Sequence, residues 1–496
     1  MDVIEPKNII DQAVKSVKWS ALANFLPRMI TPIATAIIAA LLTPSDFGLV
    51  VISSFVLVLA QIVTGLGLSA AIVQRRTEIE AAASAAFWLN LILSVSMFCG
   101  LWFGAPLIAR LYHAPQAELV IRVSGFSLIL YALIGIPEAL LQRALRFKEL
   151  FRIRVASQIT LSLVSVGLAI AGVGVWALVF GSLLGILVNA VGVWVVTHWK
   201  PTLNVKKETA GALLKFGVWV MVSGFQSWLF LYADNAILGF YQVSTQLGVY
   251  ALGFNLSSFI PGLIISPLSA VAYPVFCEIQ HDRERLGKYL LKMQVLALVV
   301  LAPLVLGACA LASPAIQLLY GDKWPGLAYV IALLSLNGFG QLWSLTSDAY
   351  RAINRPDIWP KLAGLALIIL IPSLFLAGPF GLETFTIVRM LAGFALPVMI
   401  ILFGQRVVGI SLKEQLTAFL PLMLTATLTL AVGYGMIVQL NPFSGMVGGL
   451  KLISVVLVSS LVYCGLLWRF HSKLWLELLA LLRSSMGRVI NDKTDS

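Results

Sequence analysis

Roughly fourteen stretches of about twenty apolar residues follow one another along this chain, with Lys and Arg gathered in alternate gaps between them. An α-helix rises about 1.5 Å per residue, so a stretch of that length crosses a hydrocarbon core about 30 Å thick. Hydrocarbon offers a backbone N–H or C=O no partner, and at these lengths only a helix satisfies both within the segment itself. The chain is therefore expected to be an all-α polytopic membrane protein. The composition agrees, with 59% hydrophobic residues, 11% charged residues and a mean hydropathy of +0.95.

The expected spans lie near residues 19–42, 48–70, 82–104, 118–140, 155–173, 176–196, 216–239, 247–275, 293–312, 325–347, 362–378, 384–403, 418–438 and 449–467. One set of gaps, with the two tails, collects Lys7, Lys15, Lys18, Arg75, Arg76 and the clusters Arg143 to Arg154, Lys200 to Lys215 and Arg283 to Lys292. It also holds Arg351, Arg355, Lys361, Arg406, Lys413 and the basic residues from Arg469 onward. The opposite gaps and nearby helix ends hold only Arg110, Arg122, Lys323, Arg389 and Lys451, while Arg28 stands alone inside a span. By the positive-inside rule both termini are expected to be cytoplasmic. The net charge of +12 is then mostly a topology signal, reinforced by anionic inner-leaflet lipid. No basic domain stands apart from the membrane, so no nucleic-acid partner is expected.

Ile4 to Trp19 read as an amphipathic helix on the inner surface. They do not read as a signal peptide, because the first apolar stretch is too long for an h-region and no small-residue cleavage site is in view. Cys99, Cys309 and Cys464 fall within spans and Cys277 at a cytoplasmic end. None has a partner at metal-ligand spacing, so all four are expected to be small buried hydrophobes, without disulfide or metal.

The chain also repeats itself. Pro106-Leu-Ile-Ala-Arg-Leu-Tyr112 returns as Pro314-Ala-Ile-Gln-Leu-Leu-Tyr320, and Arg143-Ala144 as Arg351-Ala352, both at an offset of 208 residues. Asp46-Phe-Gly-Leu-Val50 returns as Gln246-Leu-Gly-Val-Tyr250 at an offset of 200. A unit of six spans is even, so both copies enter the membrane in the same sense, a transporter arrangement with substrate near the midplane between halves. The expected organisation is an amphipathic N-terminus (1–18), an N-lobe of helices 1–6 (19–210) and a C-lobe of helices 7–12 (211–410). Accessory helices 13–14 (411–467) and a cytoplasmic tail (468–496) complete it.

Several motifs resemble bacterial polysaccharide exporters: Leu42-Thr-Pro-Ser-Asp-Phe-Gly48, Gly65-Leu-Gly-Leu-Ser69, Ala71-Ile-Val-Gln-Arg75, Phe87-Trp-Leu-Asn90, Leu140-Leu-Gln-Arg143, Arg146-Phe-Lys148 and Gly174-Val-Trp-Ala-Leu178. Asp234 with Leu238-Gly239, Leu247-Gly-Val-Tyr250 and Tyr273-Pro274 extend the resemblance over most of residues 15–410. It is to the teichuronic-acid, colanic-acid and O-antigen exporter branch, within the superfamily that includes MATE drug antiporters and the peptidoglycan-precursor flippase. The chain departs from this pattern at Asn354-Arg-Pro-Asp357, where such sequences often carry Gly before Arg-Pro. The resemblance implies flipping of an undecaprenyl-pyrophosphate-linked oligosaccharide from the inner to the outer leaflet of a bacterial inner membrane. Two six-helix lobes would rock between inward- and outward-open states. Membrane lipids and other polysaccharide assembly proteins are the implied partners.

A sugar headgroup and a pyrophosphate cross hydrocarbon only at great cost unless a polar, preferably cationic, cavity replaces their water. Asn24, Arg28, Thr31 and Thr35 are spaced 4, 3 and 4 residues apart and share one face of span 1. Arg28 falls near the midplane, and its guanidinium suits bidentate phosphate binding. Flanking Pro27 and Pro32 would bend the helix and free carbonyls. The competing role for Arg28 is a structural pair, for instance with Asp234. On span 7, Ser223, Gln226, Ser227 and Asp234 lie near one face. Asp234 stands close to the outer end, so it need not be deeply buried, and it is a candidate for ion coupling or for capping and lobe packing. Gln61, Asn90, Asn255, Asn337 and Gln341 are candidates for sugar hydroxyls, against the alternative of interhelical hydrogen bonds worth about 1 kcal/mol each. Arg389, about one turn into span 12, is a further binding candidate but also suits snorkelling to headgroups. Glu138 and Asp348 read as interface charges beside arginines. Trp19, Trp176, Trp199 and Trp324 read as an aromatic belt, while Trp88, Trp219 and Trp228 lie inside spans. Gly172/Gly174 and Gly181/Gly185 read as close helix packing.

Two other functions compete. A cation-coupled drug antiporter of the same fold would favour embedded carboxylates, whereas span 1 carries Arg28 and no acid. A membrane glycan polymerase or ligase would need a catalytic constellation, yet the outer gaps are short and the four His lie near ends or in loops. With no phosphate-binding loop either, neither enzymatic activity nor a cofactor is expected. Proton, sodium, membrane potential and mass action are all compatible with these residues as the driving force.

Overall fold

The computed structural model describes residues 30–75, 78–202, 207–440, 443, 445–472 and 474–476. These are helical almost throughout, and the described part of each expected span is helical, with breaks inside spans 10 and 12. In order, the helices are α1 (Ile30–Leu41), α2 (Pro44–Gly65), α3 (Leu68–Gln74), α4 (Ile79–Leu111), α5 (Ala117–Arg143), α6 (Phe147–Ile170) and α7 (Trp176–Thr197). There follow α8 (Lys207–Tyr241), α9 (Ser244–Glu278), α10 (Arg283–Tyr320), α11 (Leu327–Ser335), α12 (Ser344–Ala352), α13 (Ile358–Ala377) and α14 (Gly381–Gly393). Short α15 (Ala395–Met399) and α16 (Gln405–Val408) precede α17 (Leu412–Leu440) and α18 (Gly445–Phe470). Among the described residues, eleven helical stretches are long and apolar enough to cross a membrane. Large apolar side chains such as Phe103, Leu376 and Leu461 are more than 70% exposed, which is stable when the surrounding solvent is lipid.

The chain divides into two compact units. The first runs to Leu252 and takes in Lys323–Gly326 and Leu367–Arg389. Its core joins Leu68 and Ile72 of α3 to Ala82, Ala86 and Phe87 of α4 and Ile136 and Ala139 of α5. Helices α6 and α7 pack backbone to backbone, with Gly181 against Ser165 and Gly185 against Leu161. Ser157 Oγ donates to Gly185 O at 2.8 Å across the same seam. The second unit holds Gly253–Asp322, Leu327–Ala366 and the chain from Met390 onward. There α17 and α18 pack on α10 through Leu298, Leu301, Val305, Leu422, Ala426, Tyr463 and Leu467. Tyr463 Oη donates to Val299 O at 2.7 Å within that core.

The internal repeat reappears in the backbone. His113 (φ 50°) and Gly321 (φ 59°), Leu145 (φ 56°) and Asn354 (φ 60°), and Gly172 (φ 76°) and Gly381 (φ 89°) all occupy the left-handed region. Each pair is separated by 208 or 209 residues, so three turns of one copy recur in the other. This accounts for Asn354 before Arg-Pro, because asparagine tolerates the left-handed region better than other residues with a side chain. Just beyond it, Asp357 accepts from Arg355 Nε at 3.0 Å and from Lys361 Nζ at 2.7 Å. These hydrogen bonds hold its carboxyl well below the usual carboxylate range. A carboxylate so depressed supports the fold above its ordinary pKa and loses that contribution as pH falls through the lowered value.

Several expectations are corrected. Span 10 is not one α-helix: a 3₁₀ segment, Leu336–Trp343, separates α11 from α12. Gly338 lies within it, where a Cβ would come 2.7 Å from Pro261 and 2.9 Å from Val305. Cys99 and Cys464 are exposed and Cys277 and Cys309 partly so, because a thiol is as well placed against lipid as in a core. Trp324 is 2% exposed rather than part of a belt, since its indole N–H is used inside the protein. Gly172 and Gly174 form the α6–α7 turn, where positive φ rather than close packing favours glycine. Asp348 is 1% exposed and bonds Ser269 and Arg351, so it is an internal strut rather than an interface charge.

Candidate functional site

The sequence Thr43-Pro-Ser-Asp46 begins α2 with a capping box and proline in the first turn. Asp46 N donates to Thr43 Oγ1 at 3.3 Å, and Thr43 N donates back to Asp46 Oδ2 at 3.0 Å. This turn meets the first turn of α9. A Cβ on Gly48 would stand 1.8 Å from Ser244 O, and a Cβ on Gly248 would stand 1.8 Å from Pro44 O. Gly48 and Gly248 are equivalent at the 200-residue offset, as are Pro44 and Ser244, so the same contact is made twice in opposite directions. Ser45 Oγ and Ser244 Oγ lie 3.0 Å apart beside it.

The neighbouring chain turns join the same end of this unit. Lys323 Nζ donates to Ala40 O at 2.7 Å and Leu41 O at 2.9 Å, and Trp324 Nε1 donates to Ala39 O at 2.9 Å. These donors satisfy carbonyls that the end of α1 leaves open, and a cation suits a helix C-terminus. The Trp324 ring meets Phe47 edge-on at 5.2 Å. Gln242 Nε2 donates to Gly378 O at 2.8 Å.

Beneath this seal lies a buried ionic cluster. Asp234 of α8 is 1% exposed and Arg389 of α14 is 8% exposed. Arg389 Nε donates to Asp234 Oδ2 at 2.9 Å, and Tyr250 Oη of α9 donates to the same oxygen at 2.7 Å. Asp234 Oδ1 accepts from Asn235 N at 2.8 Å and from Asn235 Nδ2 at 3.0 Å. Four donors therefore occupy the carboxylate, which offers about four lone-pair positions in all. In this state it presents no open oxygen to an incoming cation. Asp234 is thus deeply buried near a helix end, and its ion-pair partner among the described residues is Arg389. Arg389 turns inward to this pair instead of snorkelling.

The other expected site residues belong to several different helices. Asn24 and Arg28 lie outside the described residues. Thr31 is exposed in the first turn of α1, and Gln61 lines a cavity of about 320 Å³ in the first unit. Asn90 is buried in α4 and accepts from Ser94 Oγ at 3.4 Å. Gln226 is half-buried on α8 and Asn255 is exposed on α9. Asn337 and Gln341 belong to the 3₁₀ segment of the second unit. Tyr250 and Asn235 were not among the candidates. The one sequence signal for Tyr250 is its place at the end of the repeated Leu247-Gly-Val-Tyr250.

The serine pair gives a direct test of the seal. Cysteines at both Ser45 and Ser244 are expected to form a disulfide on mild oxidation, because their side-chain oxygens are 3.0 Å apart. If the two thiols fail to cross-link in membranes, the helix ends do not meet as described.

Residues 37–328 match the family profile described as polysaccharide biosynthesis protein. The chain is 28% identical to the succinoglycan biosynthesis transport protein ExoT of Rhizobium meliloti over 65% of each chain. It is 24% identical to the teichuronic acid biosynthesis protein TuaB of Bacillus subtilis, over 95% of this chain and 98% of that one. With the lipopolysaccharide biosynthesis protein WzxC of Escherichia coli it shares 22% identity over 74% of this chain and 75% of that one. A solved structure of the lipid II flippase MurJ, in an inward closed conformation, superposes with a TM-score of 0.74 at 17% identity, covering 92% of this chain and 99% of that one. An inward-facing MATE multidrug transporter gives a TM-score of 0.58 at 16% identity, over 79% of this chain and 98% of that one. These two structural likenesses concern the fold alone.

Proposed function

The chain belongs to the family of polysaccharide biosynthesis proteins, and on that basis we propose that it flips an undecaprenyl-pyrophosphate-linked oligosaccharide across a bacterial inner membrane by alternating access. The family match over residues 37–328 carries this reading. Basic residues crowd the gaps opposite to those that join α1 to α2 and α8 to α9, so the sealed end is the outer one. The state described is then closed toward the outside. Arg28, with Asn24 and Thr31, binds the pyrophosphate. The Asp234–Arg389–Tyr250 cluster latches α8, α9 and α14 together under the outer seal. Opening outward breaks the reciprocal glycine contact and releases the headgroup, while the lipid tail stays in the bilayer. A carboxylate-coupled drug antiporter is less well supported, because Asp234 is already filled by four donors.

The test is the leaflet distribution of undecaprenyl-linked glycan in spheroplasts with and without the chain, read with a membrane-impermeant glycan-modifying probe. Loss of the chain should leave the precursor made but unlabelled from outside. An outer fraction that does not depend on the chain would sink the flippase reading. Arg28→Ala should abolish outer labelling at normal protein level, and normal labelling by that variant would remove Arg28 from the mechanism.

A further inference from the structure

Spans 10 and 12 are both interrupted, and both interruptions lie in the second unit. In span 10 the 3₁₀ segment Leu336–Trp343 has nine residues of α-helix on either side. Its eight residues are about twice the usual length of a 3₁₀ run, whose hydrogen bonds are poorer than those of an α-helix. In span 12, α14 ends at Gly393 and the chain continues through α15 into a π-helical turn, Ile400–Gly404. Pro397 has no N–H to give the carbonyl of Gly393 four residues back, so the α ladder fails there. The two breaks meet. A Cβ on Gly393 would stand 2.6 Å from Asn337 Oδ1, and one on Gly340 would stand 3.1 Å from Pro397 Cγ.

The repeat supplies an internal control. At the 208-residue offset, Leu336–Trp343 corresponds to residues 128–135, and Gly393 and Pro397 correspond to Gly185 and Asn189. Those positions lie in unbroken α-helix, within α5 and α7. Leu130 and Ala132 stand where the second copy has Gly338 and Gly340, and Asn189 keeps the N–H that Pro397 lacks. The architecture therefore does not demand the breaks. They coincide with glycine and proline, the two weakest helix formers, in one copy only.

The segment is also underbonded. Among the described residues, eight buried side-chain polar atoms have no hydrogen-bond partner, and three of them are Ser335 Oγ, Asn337 Oδ1 and Trp343 Nε1. Inside a membrane, water does not readily complete such groups. A stretch with a poor ladder and three orphaned groups is held by its packing, and it costs little to rearrange.

We propose that the two breaks form one hinge, about which the outer parts of spans 10 and 12 swing when the outer seal opens. Asn337 against Gly393 is the pivot, and Gly338, Gly340 and Pro397 mark the positions that absorb the backbone change. The proposal rests on the alternating-access reading above and adds where the bending occurs. Arg389 precedes Gly393 by four residues, so the latch residue travels with the outer part.

Hydrogen–deuterium exchange on the unaltered full chain in lipid nanodiscs tests the hinge first. Amides of 336–343 and 393–404 should exchange about tenfold faster than those of the equivalent 128–135 and 185–196. Equal protection in the two copies overturns the hinge, whether or not the chain moves glycan. The variant Gly340→Ala with Pro397→Ala then restores a helix former and the missing N–H. It should keep its thermal midpoint and slow exchange in both segments toward that of the first copy. With Ser45→Cys added, labelling from outside by an impermeant thiol reagent should slow about tenfold, and outer glycan should fall with it. Slowed exchange with unchanged thiol labelling and unchanged export overturns the hinge. If the alanine variant misfolds, the comparison between copies in the unaltered chain decides. An unaltered chain that delivers no glycan to the outer leaflet refutes the flippase reading instead, and that outcome is separate from the exchange result.

Discussion

Arg389→Ala is expected to destabilise the protein by about 3–5 kcal/mol, because it leaves Asp234 as a buried charge without its partner. The pair is well shielded, with side-chain exposures of 10% for Arg389 and 1% for Asp234. Tyr250 and Asn235 would still donate to the carboxylate, but neither carries charge. Asp234→Ala should also be destabilising, since it removes the counter-charge of the buried guanidinium. Removing both charges, as in Asp234→Asn with Arg389→Gln, should recover much of the loss. Replacing a whole buried pair is often close to neutral, whereas breaking one is not. The measurement is the thermal midpoint of each variant in detergent, followed by size-exclusion chromatography. Single variants as stable as the parent would show that the pair contributes nothing to holding α8 and α14 together.

Gly248→Leu should have its effect on conformation rather than on folding. Even a bare Cβ at this position would come 1.8 Å from Pro44 O, and that oxygen belongs to a backbone that no rotamer change can move aside. Overpacking of this kind costs about 1–3 kcal/mol. Because the contact exists only when the two helix ends are closed, the cost falls on that state alone. A bias of that size shifts the population about 5- to 150-fold toward the outward-open form. An impermeant thiol reagent should then label a cysteine placed at Ser45 faster from the outside, and export should fall. Gly48→Leu should behave alike, because the repeat makes the same contact from the other side. The two together should add little, since one obstacle is enough to hold the ends apart. Unchanged labelling and unchanged export in Gly248→Leu would mean that the ends do not close in the transport cycle.

The helices and their order were legible from periodicity and apolar length alone, because a span must satisfy its own backbone whatever its neighbours are. The repeat was legible at Asp46 to Val50 and Gln246 to Tyr250, and those segments proved to hold the glycines that pack on each other's helix. The same alignment did not reveal the contact, since similarity between two segments carries no information on whether they touch. The break between α11 and α12 was hidden because Leu, Phe and Trp around Gly338 keep hydropathy high whether the backbone is α or 3₁₀. Asp234 and Arg389 illustrate the limit most clearly. Each was visible as a charge inside or near a span, yet residues 155 apart in the chain can be paired only by knowing which helices adjoin. Trp324 misled for a related reason: an indole near a predicted interface suits a headgroup as well as it suits a helix C-terminus.

What the amino-acid sequence determined by itself is local and solvent-driven: which segments are helices, that lipid surrounds them, and that the unit is duplicated. These follow from backbone hydrogen bonding and transfer free energy, which act on each segment in isolation. What only the tertiary structure decided is pairwise: the reciprocal Gly48–Gly248 contact and the Arg389 partner of Asp234. Those depend on distances of a few ångströms between helices far apart in the chain, and hydropathy is blind to them.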